Sequence, residues 1–132
     1  MSARTATCSC GQLSIACAGE PVRLSVCHCL ECQKRTGGVF GAQARFAREA
    51  VTIKGEAANW SRTGDSGGTA TFSFCPRCGS TVFWEAAGLP GFVTVAVGAF
   101  ADPAFPGPRV SVYDERSHPW AMSLATWPMA RD

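Results

Sequence analysis

The sequence predicts an all-β protein built from irregular antiparallel sheets with one short helix. Apolar and polar residues alternate in several short segments, which is the pattern of half-buried strands. Fourteen glycines and eight prolines interrupt these segments, and that density excludes a helical bundle or a coiled coil. With 46% hydrophobic and 17% charged residues, the composition is that of a folded chain, and the length predicts a single domain over residues 1–132.

Seven segments are predicted to be strands and one a helix. In the first strand, Gln12–Ala18, residue Cys17 falls on the apolar side and is predicted to be a small buried hydrophobic residue. The helix, Leu30–Thr36, is expected to end at Gly37, because glycine readily adopts the positive φ of a C-cap. The other predicted strands are Val39–Phe46, Val51–Lys54, Thr69–Phe74, Thr81–Glu85, Phe92–Val97 and Val110–Tyr113.

Charge and hydropathy indicate which partners to expect. The net charge is +2 with no block of like charges, which does not favour nucleic-acid binding. Residues 1–10 lack the apolar core of a secretory signal. The longest uncharged stretch, Ala86–Ala101, is too short for a membrane span and contains Pro90. We therefore expect a cytoplasmic protein without a membrane partner, in which thiols stay reduced.

Three groups contain seven of the eight cysteines. The third, Cys75-Pro76-Arg77-Cys78-Gly79, has the C-x-x-C spacing that presents two thiolates from one tight turn, and zinc prefers about four such ligands in a tetrahedron. Backbone amides of this turn can also donate to the sulfurs. A redox dithiol and ordinary core cysteines are the alternatives to this predicted zinc knuckle.

A second pair of ligands must complete that site. Cys8 and Cys10 are the natural candidates, since they too are followed by a glycine. Their distance in sequence from Cys75 and Cys78 makes the pairing a tertiary inference rather than a motif match. Such a site with four cysteines is structural, because it leaves no coordination position for a substrate.

The second group holds the remaining clustered thiols, Cys27, Cys29 and Cys32. Three ligands leave one open position, which is the arrangement of a catalytic zinc, so these three are the predicted catalytic residues. His28 is expected to point away from them, because neighbours in an extended chain face opposite sides.

Three residues after this thiol group are candidates for a substrate pocket. Lys34 and Arg35 could hold the thiolates or bind an anionic substrate, and a solvated helix face is the alternative interpretation. Phe40 follows the glycines after the helix and could form a wall over the metal.

The motifs together resemble a known family. Cys8-Ser9-Cys10-Gly11, then the run Cys27 through Phe40, then Phe74 through Ser80 and finally Pro119-Trp120 are similar to those of the glutathione-dependent formaldehyde-activating family. The resemblance implies an Mss4-like β fold. It also implies a structural zinc at Cys8, Cys10, Cys75 and Cys78, and a second zinc at Cys27, Cys29 and Cys32.

The resemblance further implies an enzyme of the carbon–sulfur lyase type. The reaction for which the family is named joins glutathione, as co-substrate, to formaldehyde and forms S-hydroxymethylglutathione reversibly. We therefore expect a small thiol and an aldehyde as substrates. A non-catalytic zinc module that binds a protein partner and a thiol-based redox or metal-handling protein are the alternative hypotheses.

Overall fold

The computed structural model describes residues 3–64 and 66–131. Within these ranges the chain forms ten strands, one α-helix and four 3₁₀ turns. The strands are β1 (Ala3–Thr7), β2 (Ser14–Ala18), β3 (Arg23–Cys27), β4 (Gly41–Ala47), β5 (Val51–Lys54), β6 (Ala58–Thr63), β7 (Thr69–Phe74), β8 (Thr81–Ala86), β9 (Phe92–Ala96) and β10 (Val110–Val112). The helix α1 spans Leu30–Thr36, and the 3₁₀ turns span Arg48–Ala50, Val97–Phe100, Asp114–Arg116 and Ala121–Ser123.

Two sheets contain these strands. The smaller has the order β1-β2-β5, and the larger has the order β10-β3-β4-β9-β8-β7-β6. Almost all neighbouring strands are antiparallel, but β10 runs parallel to β3, which corrects the expectation of purely antiparallel sheets. This pairing brings the late segment of the chain beside Cys27. The predicted fold class, mainly β with one helix, is confirmed.

The predicted helix has the expected bounds and the expected end. Gly37 has a φ of 72° and donates its N–H to the carbonyl of Gln33, which closes the last turn. At the other end, the sulfur of Cys29 accepts a hydrogen bond from the backbone N–H of Cys32. A thiol thus replaces the usual hydroxyl or carboxylate N-cap.

Three strands, β1, β3 and β6, were not predicted. β3 is buried on both faces near its end. Its residues do alternate, with polar Arg23 and Ser25 between apolar Leu24 and Val26, but the run is short and leads directly into a cysteine group. β6 lies at the edge of the larger sheet and is mostly exposed, and β1 has one buried residue, Ala6. Edge strands of this kind carry little hydrophobic periodicity.

The core lies between the two sheets. The smaller sheet contributes Ile15 and Cys17, both fully buried, and the larger contributes Phe46, Val93 and Val95. Cys17 is therefore the buried small residue that the sequence predicts. Leu13, Val51 and Phe100 pack in the same cluster. None of the helices in the described ranges is long and apolar enough to cross a membrane.

The opposite face of the larger sheet carries polar and aromatic side chains. The register pairs Arg23 with Arg45, Arg45 with Thr94, Thr94 with Trp84, and Trp84 with Phe72. Cross-strand partners point to the same side of a sheet. These residues therefore share one face with Cys27, which lies four residues beyond Arg23 on the same strand.

Candidate metal centres and cavity

The sulfurs of Cys8, Cys10, Cys75 and Cys78 all lie within 4.8 Å of one another. We call these four residues the tetrad. The Cys10 sulfur lies 3.6 Å from that of Cys8 and 3.7 Å from that of Cys75. Four sulfurs around a zinc ion at ~2.3 Å would be separated by roughly 3.8 Å. The tetrad could therefore hold a tetrahedral metal ion, and its cysteines are free thiols rather than disulfides.

Hydrogen-bond donors surround the tetrad sulfurs. The backbone N–H of Leu13 donates to Cys8 at 3.3 Å, and that of Arg77 donates to Cys75 at 3.3 Å. The side-chain amide of Gln12 donates to Cys75 at 2.9 Å. Such donors favour thiolates over thiols and orient them toward a metal.

The tetrad thiols influence one another's ionisation. The backbone N–H and the hydroxyl of Ser80 lower the pKa of Cys78 to about 5. A hydrogen bond from the backbone of Gln12 acts to lower the pKa of Cys10, but burial and the neighbouring sulfurs raise it to about 11. Adjacent thiolates repel each other, so a bound cation is what allows all four to be ionised together.

The side chain of Gln12 is held by two hydrogen bonds to the backbone of Glu56, and its backbone lies close to Gly55. Its amide oxygen accepts from the backbone N–H of Glu56 at 2.9 Å, and its nitrogen donates to the Glu56 carbonyl at 2.7 Å. Gly55 has a φ of 98°, and a Cβ at that position would lie 1.9 Å from the carbonyl oxygen of Gln12. The tetrad thus depends on a glycine in the neighbouring loop.

We predict that Gly55→Ala destabilises the protein by roughly 3 kcal/mol, because backbone strain and a steric clash combine. Gly91→Ala is the matched control, since Gly91 has a similar φ of 84° but no atom within 4 Å of an added Cβ. That variant should lose only about 1–2 kcal/mol. Urea unfolding measures both, and equal losses would show that the contact with Gln12 is unimportant.

The second thiol group lies where β3 meets α1. Cys27 is the last residue of β3, Cys29 caps the helix and Cys32 lies in its first turn. Their sulfurs lie within 4.8 Å of one another, and Val112 of β10 packs against them. We call these three residues the trio. Each offers one sulfur, so a metal held there would keep a coordination position for a ligand.

Two of the trio thiols, Cys27 and Cys32, form a hydrogen bond that shifts their pKa values in opposite directions. A hydrogen bond from Cys32 lowers the pKa of Cys27 to about 5, although burial opposes this shift. The same contact, together with burial, raises the pKa of Cys32. These directions favour the thiolate form at Cys27, and a metal held by all three sulfurs would displace the proton from Cys32.

The two histidines lie behind the trio. His28 is fully buried, its ring packs against Phe40 at 5.9 Å, and its Nε2 lies 3.8 Å from an oxygen of Asp114. The Nε2–H of His118 donates to the side-chain oxygen of Gln33 at 3.0 Å. Gln33 in turn donates to the carbonyl of His28 at 2.9 Å. These contacts tie the helix to the late segment of the chain.

A cavity of about 890 Å³ opens in front of the trio. Its floor is the polar and aromatic face of the larger sheet, and all three trio cysteines line it. Gln43 donates to the hydroxyl of Ser25 at 3.1 Å on this floor. Tyr113 lines the rim with a φ of 58°, a strained conformation of the kind that is common at functional sites.

The structure places the predicted pocket residues differently. Arg35 is half-buried, lines the cavity and lies 4.3 Å over the ring of Trp84. Lys34 is instead exposed and pairs with Glu31 at 3.4 Å, as a solvated helix face predicts. Phe40 packs on His28 and is not among the described residues that line the cavity.

Sequence reasoning missed other cavity residues, notably Arg23, Arg45 and Arg62. A signal for one of them was present, because Arg23 and Cys27 are four positions apart and therefore face the same side of a strand. The aromatic residues Trp60 and Phe72 also line the cavity.

Comparison with known proteins places the chain in a family. A search of curated proteins finds no match. Among solved structures, the crystal structure of a Rhodobacter sphaeroides protein is similar in fold, with a TM-score of 0.61 and 18% identity over 82% of this chain and 99% of that one. The family model for glutathione-dependent formaldehyde-activating enzyme matches residues 3–116. This protein belongs to the glutathione-dependent formaldehyde-activating family.

Proposed function

We propose that this protein is a zinc-dependent enzyme of the carbon–sulfur lyase type that joins glutathione and formaldehyde reversibly into S-hydroxymethylglutathione. The observation that carries the proposal is the convergence of three thiols on a cavity with room for a small substrate. A purely structural metal site would be closed and would need no cavity. Family membership supports the same reaction.

Zinc is the proposed metal at both sites. All-thiol ligand sets suit this ion, and the sulfur separations of the tetrad fit its tetrahedral preference. In the tetrad it would be structural, and in the trio it would be a Lewis acid for a thiol sulfur or an aldehyde oxygen. Metal analysis of the purified protein should find two equivalents of zinc per chain.

The chain's own residues hold the reactants near each other. During adduct formation a carbon–sulfur bond forms, the carbonyl π bond breaks, and the thiol proton ends on the new hydroxyl oxygen. The cavity walls keep both reactants beside the trio, so the reaction gains from proximity. Arg35 lies between Cys32 and the aromatic floor, where its positive charge offsets the negative charge of the thiolates.

NMR exchange spectroscopy tests the proposal directly. Glutathione and formaldehyde interconvert with their adduct without a catalyst, and the zinc-loaded protein is expected to raise the exchange rate in proportion to its concentration. Heat-denatured protein is the control for formaldehyde consumption by surface groups. An unchanged exchange rate with the two-zinc protein would reject this substrate pair and favour the non-catalytic zinc module.

A further inference from the structure

We propose that the cavity contains a two-part anion site that selects small ligands carrying two anionic groups. One part is the pair Arg23 and Arg45, and the other is the pair Arg35 and Arg62. The proposal deepens the proposed function, because it defines the class of thiol that would reach the trio. It rests on the placement of these four guanidinium groups.

The first pair lies on adjacent strands. Arg23 and Arg45 are direct cross-strand partners between β3 and β4, and like charges in that position destabilise a sheet. Burial lowers the pKa of the Arg45 guanidinium, and the charge of Arg23 lowers it further. The Nε of Arg45 is buried and has no hydrogen-bond partner within the described chain.

The second pair shares an aromatic ring. The guanidinium of Arg35 lies 5.2 Å from the centre of the Phe72 ring, and that of Arg62 lies 5.5 Å from the same centre. Arg35 also stacks over Trp84. The Nε atoms of Arg35 and Arg62 are both buried and lack a hydrogen-bond partner in the described residues. The aromatic contacts hold these guanidinium planes in fixed positions.

Among the described residues that line the cavity, carboxylates are scarce. Glu31 is the one acidic residue among the described residues that line it, and its carboxylate pairs with Lys34 outside the arginine group. Unpaired, partly buried charges are costly unless a counter-ion satisfies them. An anionic ligand would therefore meet Arg23, Arg45 and Arg62, and would share Arg35 with the thiolate of Cys32, without displacing a carboxylate from these arginines in the described residues.

The positions of the pairs define the ligand. Arg23 lies four residues from Cys27 on one strand, which corresponds to roughly 13 Å at ~3.3 Å per residue. A ligand with its reactive group at the trio would therefore reach the first pair with an anionic group at most about that far away, whereas Arg35 of the second pair lies against Cys32 itself. The paired N–H groups of a guanidinium can bind either a carboxylate or a phosphate group. The aromatic residues of the cavity floor would contact the apolar part of the ligand between its two anionic groups.

Titration of the zinc-loaded protein with simple anions tests the site independently of any reaction. We expect glutarate to bind at least tenfold more tightly than butyrate, with affinity falling as salt increases. A parallel titration with inorganic phosphate shows whether the site binds phosphate as well as carboxylate groups. Tryptophan fluorescence reports binding, because Trp60 and Trp84 line the cavity.

Substitutions of the cavity arginines test whether these residues bind the anion. Arg45→Gln and Arg62→Gln should each weaken glutarate binding at least tenfold, with unchanged zinc content. Arg109→Gln is the matched control, since Arg109 is exposed and is not among the described residues lining the cavity. Without ligand, Arg45→Gln should keep or raise the melting temperature, because it relieves the repulsion with Arg23. Unaltered glutarate affinity in both cavity variants, or no binding of either glutarate or phosphate to the wild type, would overturn the proposal.

A comparison of thiols separates this proposal from the proposed function. With formaldehyde as the aldehyde, Arg45→Gln should raise the KM for mercaptosuccinate at least tenfold and leave that for the uncharged 2-mercaptoethanol unchanged. Equal effects on both thiols would reject selection by charge. If no thiol is accelerated but glutarate still binds through the arginines, the lyase function fails while the anion site stands.

Discussion

Cys75→Ser is expected to unfold the protein at physiological temperature. Cys75 is fully buried, and its sulfur lies 3.7 Å from that of Cys10, which is 65 residues earlier in the chain. Structural zinc contributes roughly 10–16 kcal/mol of apparent binding free energy, and the whole stability of a domain is only about 5–15 kcal/mol. Losing one of four ligands should therefore remove the tetrad metal and at least roughly 5 kcal/mol of stability.

Circular dichroism melting and metal analysis measure this result. Cys17→Ser is the matched control, because Cys17 is also fully buried but belongs to neither thiol group. Burying its hydroxyl should cost about 1–3 kcal/mol and leave both metals bound. A Cys75→Ser protein that melts like Cys17→Ser would refute the structural role of the tetrad.

Cys32→Ser is expected to abolish the proposed glutathione–formaldehyde activity while preserving the fold. The trio packs with Val112 in a small cluster of its own, separate from the main core, so its metal should contribute little to global stability. Two thiols and a weaker hydroxyl ligand hold zinc poorly. We expect the second zinc equivalent to be lost and glutathione–formaldehyde exchange to fall to the uncatalysed rate.

The comparison with wild type needs three measurements on one sample: zinc content, melting temperature and exchange rate. The melting temperature should change by no more than a few degrees. Cys17→Ser again controls for the change from thiol to hydroxyl and should keep both zinc ions and the full rate. Catalysis by a Cys32→Ser protein with a single zinc would exclude a metal at the trio from the reaction.

Local patterns in the sequence were sufficient for many elements. The bounds of the helix Leu30–Thr36 and of the strands Val51–Lys54 and Thr69–Phe74 are as predicted, because each depends on alternation or on a nearby glycine. The strand β3 (Arg23–Cys27) was missed although its first four residues alternate between polar and apolar, because so short a run before a cysteine group is a weak strand signal. Its parallel pairing with β10 depends on contacts across more than eighty residues.

The seven clustered cysteines could be recognised from the sequence alone, because metal ligands must be specific side chains at short spacings and those spacings are visible in one dimension. The division into a tetrad and a trio was an inference that needed three-dimensional proximity, and the sulfur positions supply it. Cavity walls have no comparable local signature. Arg45, Arg62 and Trp84 come from three strands, and only the sheet register brings them to one face beside the thiols. Charge and spacing along a chain are local properties, whereas a shared surface is set by which strands pair.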